Sequence, residues 1–170
     1  MFPSVCLFKV LYAWEQFKLE DIALITMGQS PSSANYTNNK TDFILVQGNA
    51  DIKNRKVLPR VWTTEVTKVA KKGDILLSVR APVGEVAMTD YNVVIGRGMA
   101  SLRGNKFLFQ RLIALNEFGF WNKLSSGSTF ESINSSDIKN INLFIPNEDE
   151  QIAIGELLSY VDKINTLYQR

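Results

Sequence analysis

The pattern of apolar and polar positions predicts a β-rich middle of the chain, between Gly73 and Gly104. Short apolar runs in this stretch are separated by Gly, Pro and charged residues, which is typical of strands joined by tight turns. The predicted strands are Asp74–Val79, Glu85–Met88, Asn92–Ile95 and Met99–Leu102. Rigid strands connected by loops that carry arginine favour a binding surface over a reaction centre.

The first predicted strand shows the clearest alternation. Ile75, Leu77 and Val79 alternate with Leu76 and Ser78. A period of two residues is typical of a strand with one buried and one exposed face. The sequence therefore predicts a half-buried strand here.

Outside the middle stretch, three segments have recognisable patterns. Trp14–Met27 predicts a short helical turn followed by a strand. Phe107–Glu117 is apolar around most of its circumference, which predicts a buried helix, and Gly119 provides a stop signal. Ile141–Ile145 predicts a strand that ends at Pro146.

The last segment has the strongest helical periodicity. Asn147, with Glu150 three residues later, forms a capping-box sequence. Apolar residues then recur at spacings of 3, 4, 3 and 4, at Ile154, Leu157, Val161, Ile164 and Tyr168. This is a coiled-coil a/d pattern over about two heptads. Two interpretations stay open: packing on a helix of a partner or a second copy, which we favour, and docking on its own domain.

Composition excludes most kinds of catalytic site. The 170 residues include no His and one Cys, so His-based acid–base chemistry and His or multiple-thiolate metal sites are excluded. The Gly96-Arg97-Gly98 sequence lacks the third glycine of a dinucleotide-binding loop, and no Walker A sequence occurs. A metal site would have to be built from carboxylates alone.

The apolar start of the chain raises the question of a targeting segment. Met1–Leu11 is apolar, but it has no basic region before it and no clear cleavage site after it. No run approaches the roughly 20 apolar residues that span a bilayer. With a single Cys, a reducing compartment is expected. We therefore expect a soluble, cytoplasmic protein.

Charge is unevenly distributed along the chain. Between Lys53 and Lys72 there are seven basic residues and one acidic residue, Glu65. Between Glu131 and Arg170 there are three basic and seven acidic residues. This asymmetry predicts one surface that faces a polyanion and another that faces protein or solvent. Two solvated faces of an ordinary domain are the alternative.

Four segments follow one another in a distinctive order. They are WEQFKLEDIA with GQSP in Trp14–Pro31, KKGDILLSVRAPVGEVAM in Lys71–Met88, IGRGMASLRG in Ile95–Gly104, and Gly127–Ile164. The fourth combines a Gly-Ser-Thr loop, a strand that ends in Pro, and a Glu-Gln pair opening a long helix. In this order they resemble one half of a specificity subunit of type I restriction–modification enzymes.

The resemblance implies an α/β (α+β) target recognition domain with a mixed, strongly twisted β-sheet and short helices. A coiled-coil-type helix would follow, which divides the chain into residues 1–146 and 147–170. Subunits of this family usually carry two such domains, joined by an antiparallel coiled coil. This chain has one domain and a short helix, so a natural half-subunit, an engineered fragment and a truncated product all stay open.

The resemblance also implies a non-catalytic role. The expected partners are double-stranded DNA, methyltransferase subunits, restriction subunits and, through the C-terminal helix, a second copy of the chain. S-adenosylmethionine, ATP and Mg are expected only on partner subunits; none of the five prolines follows an Asn, as the Asn-Pro-Pro-aromatic methyltransferase site would require. One alternative is an assembly partner that binds the methyltransferase with little DNA contact. Another, a hydrolase using Ser128 or Thr129, lacks a base.

We expect basic and amide side chains to carry DNA binding. Lys53, Arg55, Lys56 and Arg60 are predicted to neutralise phosphates. Arg80, Arg97 and Gln47 are predicted to contact base edges, with strand-end salt bridges or turn contacts as the alternative. The complete predicted set is Gln47, Asn49, Lys53, Arg55, Lys56, Arg60, Lys71, Lys72, Arg80, Arg97, Arg103, Ser126 and Thr129.

Overall fold

A computed structural model describes residues 14–125 and 132–168. The strands within these ranges are β1 (Glu15–Lys18), β2 (Leu24–Met27), β3 (Tyr36–Thr37), β4 (Phe43–Val46), β5 (Ile52–Lys53), β6 (Lys56–Val57), β7 (Val61–Thr63), β8 (Val69–Ala70), β9 (Ile75–Ser78), β10 (Val86–Met88), β11 (Val93–Ile95), β12 (Met99–Arg103) and β13 (Asn142–Ile145). The helices are α1 (Leu19–Ile22), α2 (Lys106–Glu117), α3 (Phe120–Ser125), α4 (Ser135–Lys139) and α5 (Glu148–Tyr168). The elements predicted from the sequence in these ranges are confirmed to within about two residues at their ends.

The described strands form two larger sheets and a two-stranded ribbon. The larger sheets have the orders β2-β12-β9-β10-β6-β5 and β3-β7-β4-β11-β8, and β1 pairs with β13. Both larger sheets are mixed, since β10 runs parallel to β6 and β11 parallel to β4 while the other pairs are antiparallel. The predicted α+β class with mixed sheets is confirmed.

The six-stranded sheet lies between two apolar layers. On one face, Leu77 belongs to a core that includes Leu112 of α2 and Trp121 of α3. On the other face, Leu76 packs with Ile95 of β11, in the five-stranded sheet. Each face of this sheet is therefore covered along its centre.

The prediction of a half-buried β9 is wrong for this reason. All four residues of β9 are buried, and Leu76 is as fully buried as Leu77. The alternation of residues is real, but it distributes side chains between two cores rather than between core and solvent. A single strand cannot reveal that a second sheet covers its other face.

Replacing Leu76 with Ala tests this two-sided burial. Because Leu76 is fully buried, we expect the free energy of unfolding to fall by about 2–5 kcal/mol. The matched control is Leu24→Ala on β2, where the side chain is 64% exposed and a change within about 0.5 kcal/mol is expected. Urea denaturation of both variants checks the difference, and equal losses would argue against the two-sheet core.

The C-terminal helix begins where its capping sequence predicts. Asn147 Oδ1 accepts a hydrogen bond from the backbone N of Glu150 at 3.0 Å. The Glu150 carboxylate accepts from Trp14 Nε1 at 3.1 Å, so the start of α5 is tied to the start of the described chain. None of the described helices combines the length and the hydropathy that a membrane span requires.

The first half of α5 docks on its own domain, as the alternative interpretation of the heptads predicts. Gly155 is buried on α2, and a Cβ there would lie 2.8 Å from the backbone N of Phe107. Ile154 packs against the core that includes Leu112 and Trp121. Leu157 and Tyr168, by contrast, are 62% and 87% exposed. The helix therefore packs with one face and leaves most of its apolar stripe uncovered.

Candidate nucleic-acid interface

Three loops meet at one end of the two larger sheets. The backbone N of Gly96 donates to Val46 O at 2.8 Å, which joins the loop after β11 to the loop after β4. The backbone N of Gln29 donates to Ile95 O at 2.9 Å, which brings in the loop after β2. We name this region, formed by Gly28–Ser30, Gln47–Gly48 and Gly96–Gly98, the loop junction.

Glycine is what allows the loops to approach so closely. A Cβ on Gly98 would lie 2.2 Å from Gln47 O, and one on Gly28 would lie 2.1 Å from Gly96 O. Both contacts are with backbone atoms, which cannot move aside as a flexible side chain can. The spacing between the loops is therefore determined by backbone-to-backbone contact.

The loop junction orients two polar side chains that the sequence predicted. Arg97 is exposed between two glycines, and its backbone N donates to Ser30 Oγ at 3.1 Å. The backbone N of Gln47 donates to Asp51 Oδ2 at 2.7 Å, and its Oε1 accepts from Tyr36 Oη at 3.4 Å. The Gln47 amide is thus held at the edge of the junction by its oxygen, with its NH₂ group as a donor.

Arg80 reaches the same region from β9. The backbone N of Val79 donates to Gly98 O at 2.9 Å, and Arg80 forms an antiparallel bridge with Ser132. Arg80 and Arg97 are both exposed, and neither guanidinium has a hydrogen bond or ion pair with a described residue. Two charged forks with five donors each are therefore presented beside the loop junction.

Two more predicted residues lie next to the junction. Asn49 is half-buried and begins a short 3₁₀ turn, Asn49–Asp51, directly after Gly48. Arg60 Nη1 donates to Ala50 O at 2.9 Å and lies 3.8 Å from Asp51 Oδ1. The charge of Arg60 is thus partly neutralised by a buried carboxylate.

Lys71, Lys72 and Arg103 lie at the opposite end of the strands. Because β12 runs antiparallel to β9, Arg103 lies beside Asp74, and its Nε is 3.3 Å from Asp74 Oδ1. The six residue steps from Asp74 to Arg80 correspond to roughly 20 Å of extended chain. The structure therefore separates Arg103 from Arg80 and Arg97, although sequence reasoning grouped them.

The basic segment from Lys53 is divided in the same way. Lys56 forms an ion pair with Asp90 at 2.9 Å. Arg55 contacts Glu117 at 2.9 Å and Asp162 at 3.5 Å, so its guanidinium lies against the helices. Lys53 is exposed, with no side-chain partner among the described residues. The predicted phosphate-binding cluster is therefore spread over different surroundings rather than forming one surface.

A family of known proteins matches nearly the whole chain. The model described as "Type I restriction modification DNA specificity domain" matches residues 13–170. The chain belongs to this family. A curated relative, the putative type I restriction enzyme MjaX specificity subunit of Methanocaldococcus jannaschii, is 34% identical over 159 residues. That match covers 89% of this chain and 37% of the relative.

Solved structures show the same fold. The HsdS subunit from Thermoanaerobacter tengcongensis matches with a TM-score of 0.77 and 31% identity over 93% of this chain and 39% of that chain. A chain from a structure concerned with complex assembly and conformational transition of the type I R-M system gives a TM-score of 0.81 and 32% identity, covering 93% and 40% of the two chains. This specificity domain thus spans less than half the length of the relatives it matches.

The specificity domain brings to its loop junction two residues that the predicted set omits. Ile95 N donates to Lys68 O at 2.8 Å, which places the exposed Lys68 beside the loop after β11. Ser30 accepts from Arg97, as described above. Lys68 belongs to the basic segment of the sequence, but only the pairing of β8 with β11 shows that it lies beside the loop junction. Ser126, Ser128 and Thr129 lie outside the described residues.

One carboxylate holds the first loop of the junction in place. Glu65 Oε2 accepts from Asn35 Nδ2 and from the backbone N of Ser32, each at 2.7 Å. Hydrogen bonds from Asn35 and then Ser32 to the ionised form lower the pKa of Glu65 below its ordinary value of 4.5.

The lowered pKa of Glu65 predicts a pH-dependent contribution to stability. A depressed carboxyl pKa stabilises the fold above the ordinary value, and this contribution is lost as pH falls through the lowered value. We expect Glu65→Gln to be less stable than wild type at neutral pH and to lose that difference in acid. Thermal unfolding of wild type and Glu65→Gln from neutral to acidic pH measures the difference in stability. A difference independent of pH would contradict the lowered pKa of Glu65.

Proposed function

We propose that this chain is the DNA-recognition domain of a type I restriction–modification specificity subunit and itself performs no catalysis. The observation that carries the proposal is the loop junction, where Arg80 and Arg97 lie exposed and unpaired among described residues, beside the Gln47 amide. Membership of the specificity-domain family supports it. We propose double-stranded DNA as the ligand because these side chains offer hydrogen-bond donors to base edges.

The side chains divide into two proposed roles. Arg80 and Arg97 are suited to guanine, because a guanidinium can donate two hydrogen bonds to O6 and N7. Gln47 offers an amide to adenine. Lys68 lies beside the loop junction and would neutralise phosphates there, which would make binding salt-dependent. Lys53, Lys71 and Lys72 lie away from the loop junction, so we do not assign them to this surface. Arg55, Lys56 and Arg103 already have carboxylate partners, so we assign them first to the fold.

The chemistry of the system would reside in other subunits. We propose that methyltransferase and restriction subunits supply the sites for S-adenosylmethionine, ATP and Mg, and that this chain directs them to a target in the cytoplasm. Among residues 14–125 and 132–168, no group of three or more His, Cys, Asp or Glu is placed to hold a metal ion. We further propose that residues 1–146 recognise DNA and residues 147–170 begin a spacer helix.

The uncovered face of α5 supports a helical partner. Leu157, Val161 and Tyr168 are exposed along one stripe, and Ile164 between them is half-buried. We name these four residues the helix seam. Their heptad spacing is complementary to a second copy of the same helix, which would bring two recognition domains together.

Placing charge in the helix seam tests this partner. We expect the double variant Leu157→Glu/Val161→Glu to shift the chain to a monomer, because two carboxylates would be desolvated in a helical interface. The matched control is Ile152→Glu, which alters a 54% exposed apolar residue of the same helix outside the seam. Sedimentation equilibrium measures the association. If the double variant remained as dimeric as wild type, the helix seam would not be the dimer interface.

Selection from a randomised duplex library tests the function directly. The chain would be used with and without the methyltransferase subunit encoded beside it. An enriched short motif with the chain alone supports direct base readout, and a two-part motif with a fixed spacer also supports a dimer. Enrichment only with the methyltransferase would mean that recognition requires assembly. No enrichment in either case would favour an assembly partner with little DNA contact.

A further inference from the structure

Arg55 occupies a backbone position that its own side chain does not favour. It follows Asn54 in the turn between β5 and β6. The φ angle is 51° at Asn54 and 59° at Arg55. A two-residue turn with both φ values positive fits the twist of a hairpin, but Gly is the usual second residue. An arginine at this position points to a role for its side chain.

That side chain connects the hairpin to both long helices. Arg55 Nη2 lies 2.9 Å from Glu117 Oε1 at the end of α2, and Nη1 lies 3.5 Å from Asp162 Oδ1 on α5. Gln110 Nε2 of α2 donates to the other oxygen, Asp162 Oδ2, at 2.7 Å. Both oxygens of Asp162 are thus engaged, one by the hairpin and one by α2. The turn itself is tied to β10, because Met88 N donates to Arg55 O at 3.1 Å.

The position of Asp162 along α5 gives these contacts their importance. The close contact of α5 with α2 is at Gly155, seven residues or roughly 10 Å earlier along the helix axis. Contacts confined to one end of a long helix leave its other end free to pivot, whereas a contact farther along defines its direction. Beyond Asp162, Leu167 and Tyr168 are 69% and 87% exposed.

We infer that Arg55, Gln110 and Asp162 form a clamp that sets the direction in which α5 leaves the recognition domain. They are positioning residues and need not touch DNA. The clamp itself depends only on the structure. Its consequence depends on the proposed function: in a two-part DNA site, the direction of α5 would determine the distance between the two recognition domains.

Amide hydrogen exchange on the full chain tests the clamp. We expect Asp162→Ala to accelerate exchange in the β5–β6 hairpin, and Arg55→Ala to accelerate it in α5 beyond Ser159, each by about two- to fivefold for partly exposed ion pairs. The effect of the double variant should be smaller than the sum of the two single effects, because both single variants remove the Arg55–Asp162 contact.

The matched control is Glu156→Ala, on the same helix as Asp162. It removes an ion pair with Lys106 of α2 at 2.7 Å. It should leave exchange in the hairpin unchanged. Unchanged hairpin exchange in Asp162→Ala, or additive effects in the double variant, would overturn the clamp.

Library selection with the Asp162→Ala variant tests the consequence. The half-site sequences should be retained, while the spacing between them should become more variable than for wild type. A spacing as narrow as that of wild type would overturn the link between the clamp and the target. If wild type itself selects no motif, the proposed function fails, and the exchange experiment still decides the clamp.

Discussion

Replacing Arg97 with Ala is expected to reduce affinity for the selected DNA target by about 1–3 kcal/mol, or roughly five- to 150-fold. Arg97 is held by its backbone at Ser30, while its guanidinium is exposed without a partner among described residues. Removing it should therefore take away base contacts without disturbing the fold. Competition between target and scrambled duplexes at fixed salt measures the loss, which should be larger for the target.

The matched control is Arg103→Ala, at the opposite end of β9. Arg103 is the ion-pair partner of Asp74, whose side chain is 8% exposed. Its loss should lower stability more than it lowers the preference for the target over a scrambled duplex. If Arg103→Ala removed the preference and Arg97→Ala did not, the recognition surface would lie at the end of the sheets opposite the loop junction.

Replacing Gly98 with Ala is expected to abolish target preference and to destabilise the fold by about 1–3 kcal/mol. The added Cβ would lie 2.2 Å from Gln47 O, so two backbone segments would have to separate. Arg97 and Gln47 are attached to those segments, and a shift of the backbone would carry both out of position. Urea denaturation measures the stability, and the duplex competition measures the preference.

Gly48→Ala is the matched control for Gly98→Ala. Gly48 lies in the same loop junction, but a Cβ there would meet no atom within 4 Å, and its φ of −179° is ordinary extended backbone. We expect this variant to keep its stability and target preference. Equal losses in the two variants would show that any side chain in these loops is harmful, and that the close contact is not the cause.

Local pattern was sufficient for the central strands, for α2 and for α5. Strands and helices follow from short-range periodicity, and a cap such as Asn147 involves residues three apart. The lack of His, with only one Cys, excludes whole classes of site on composition alone. Arg80 and Arg97 could be proposed as DNA contacts from the sequence, because the glycine and proline residues around them predict tight loops.

The sequence by itself determined which residues could contact DNA, and only the tertiary structure decided where they lie. Lys53, Arg55 and Lys56 are near neighbours in the chain, yet Arg55 faces Glu117 and Asp162, and Lys56 faces Asp90. Those carboxylates are between 34 and 107 residues away along the chain. Local periodicity contains no information about partners at such separations. They are set by strand order, by the second sheet and by the docking of α5, and these decide which charges are neutralised and which remain free to bind.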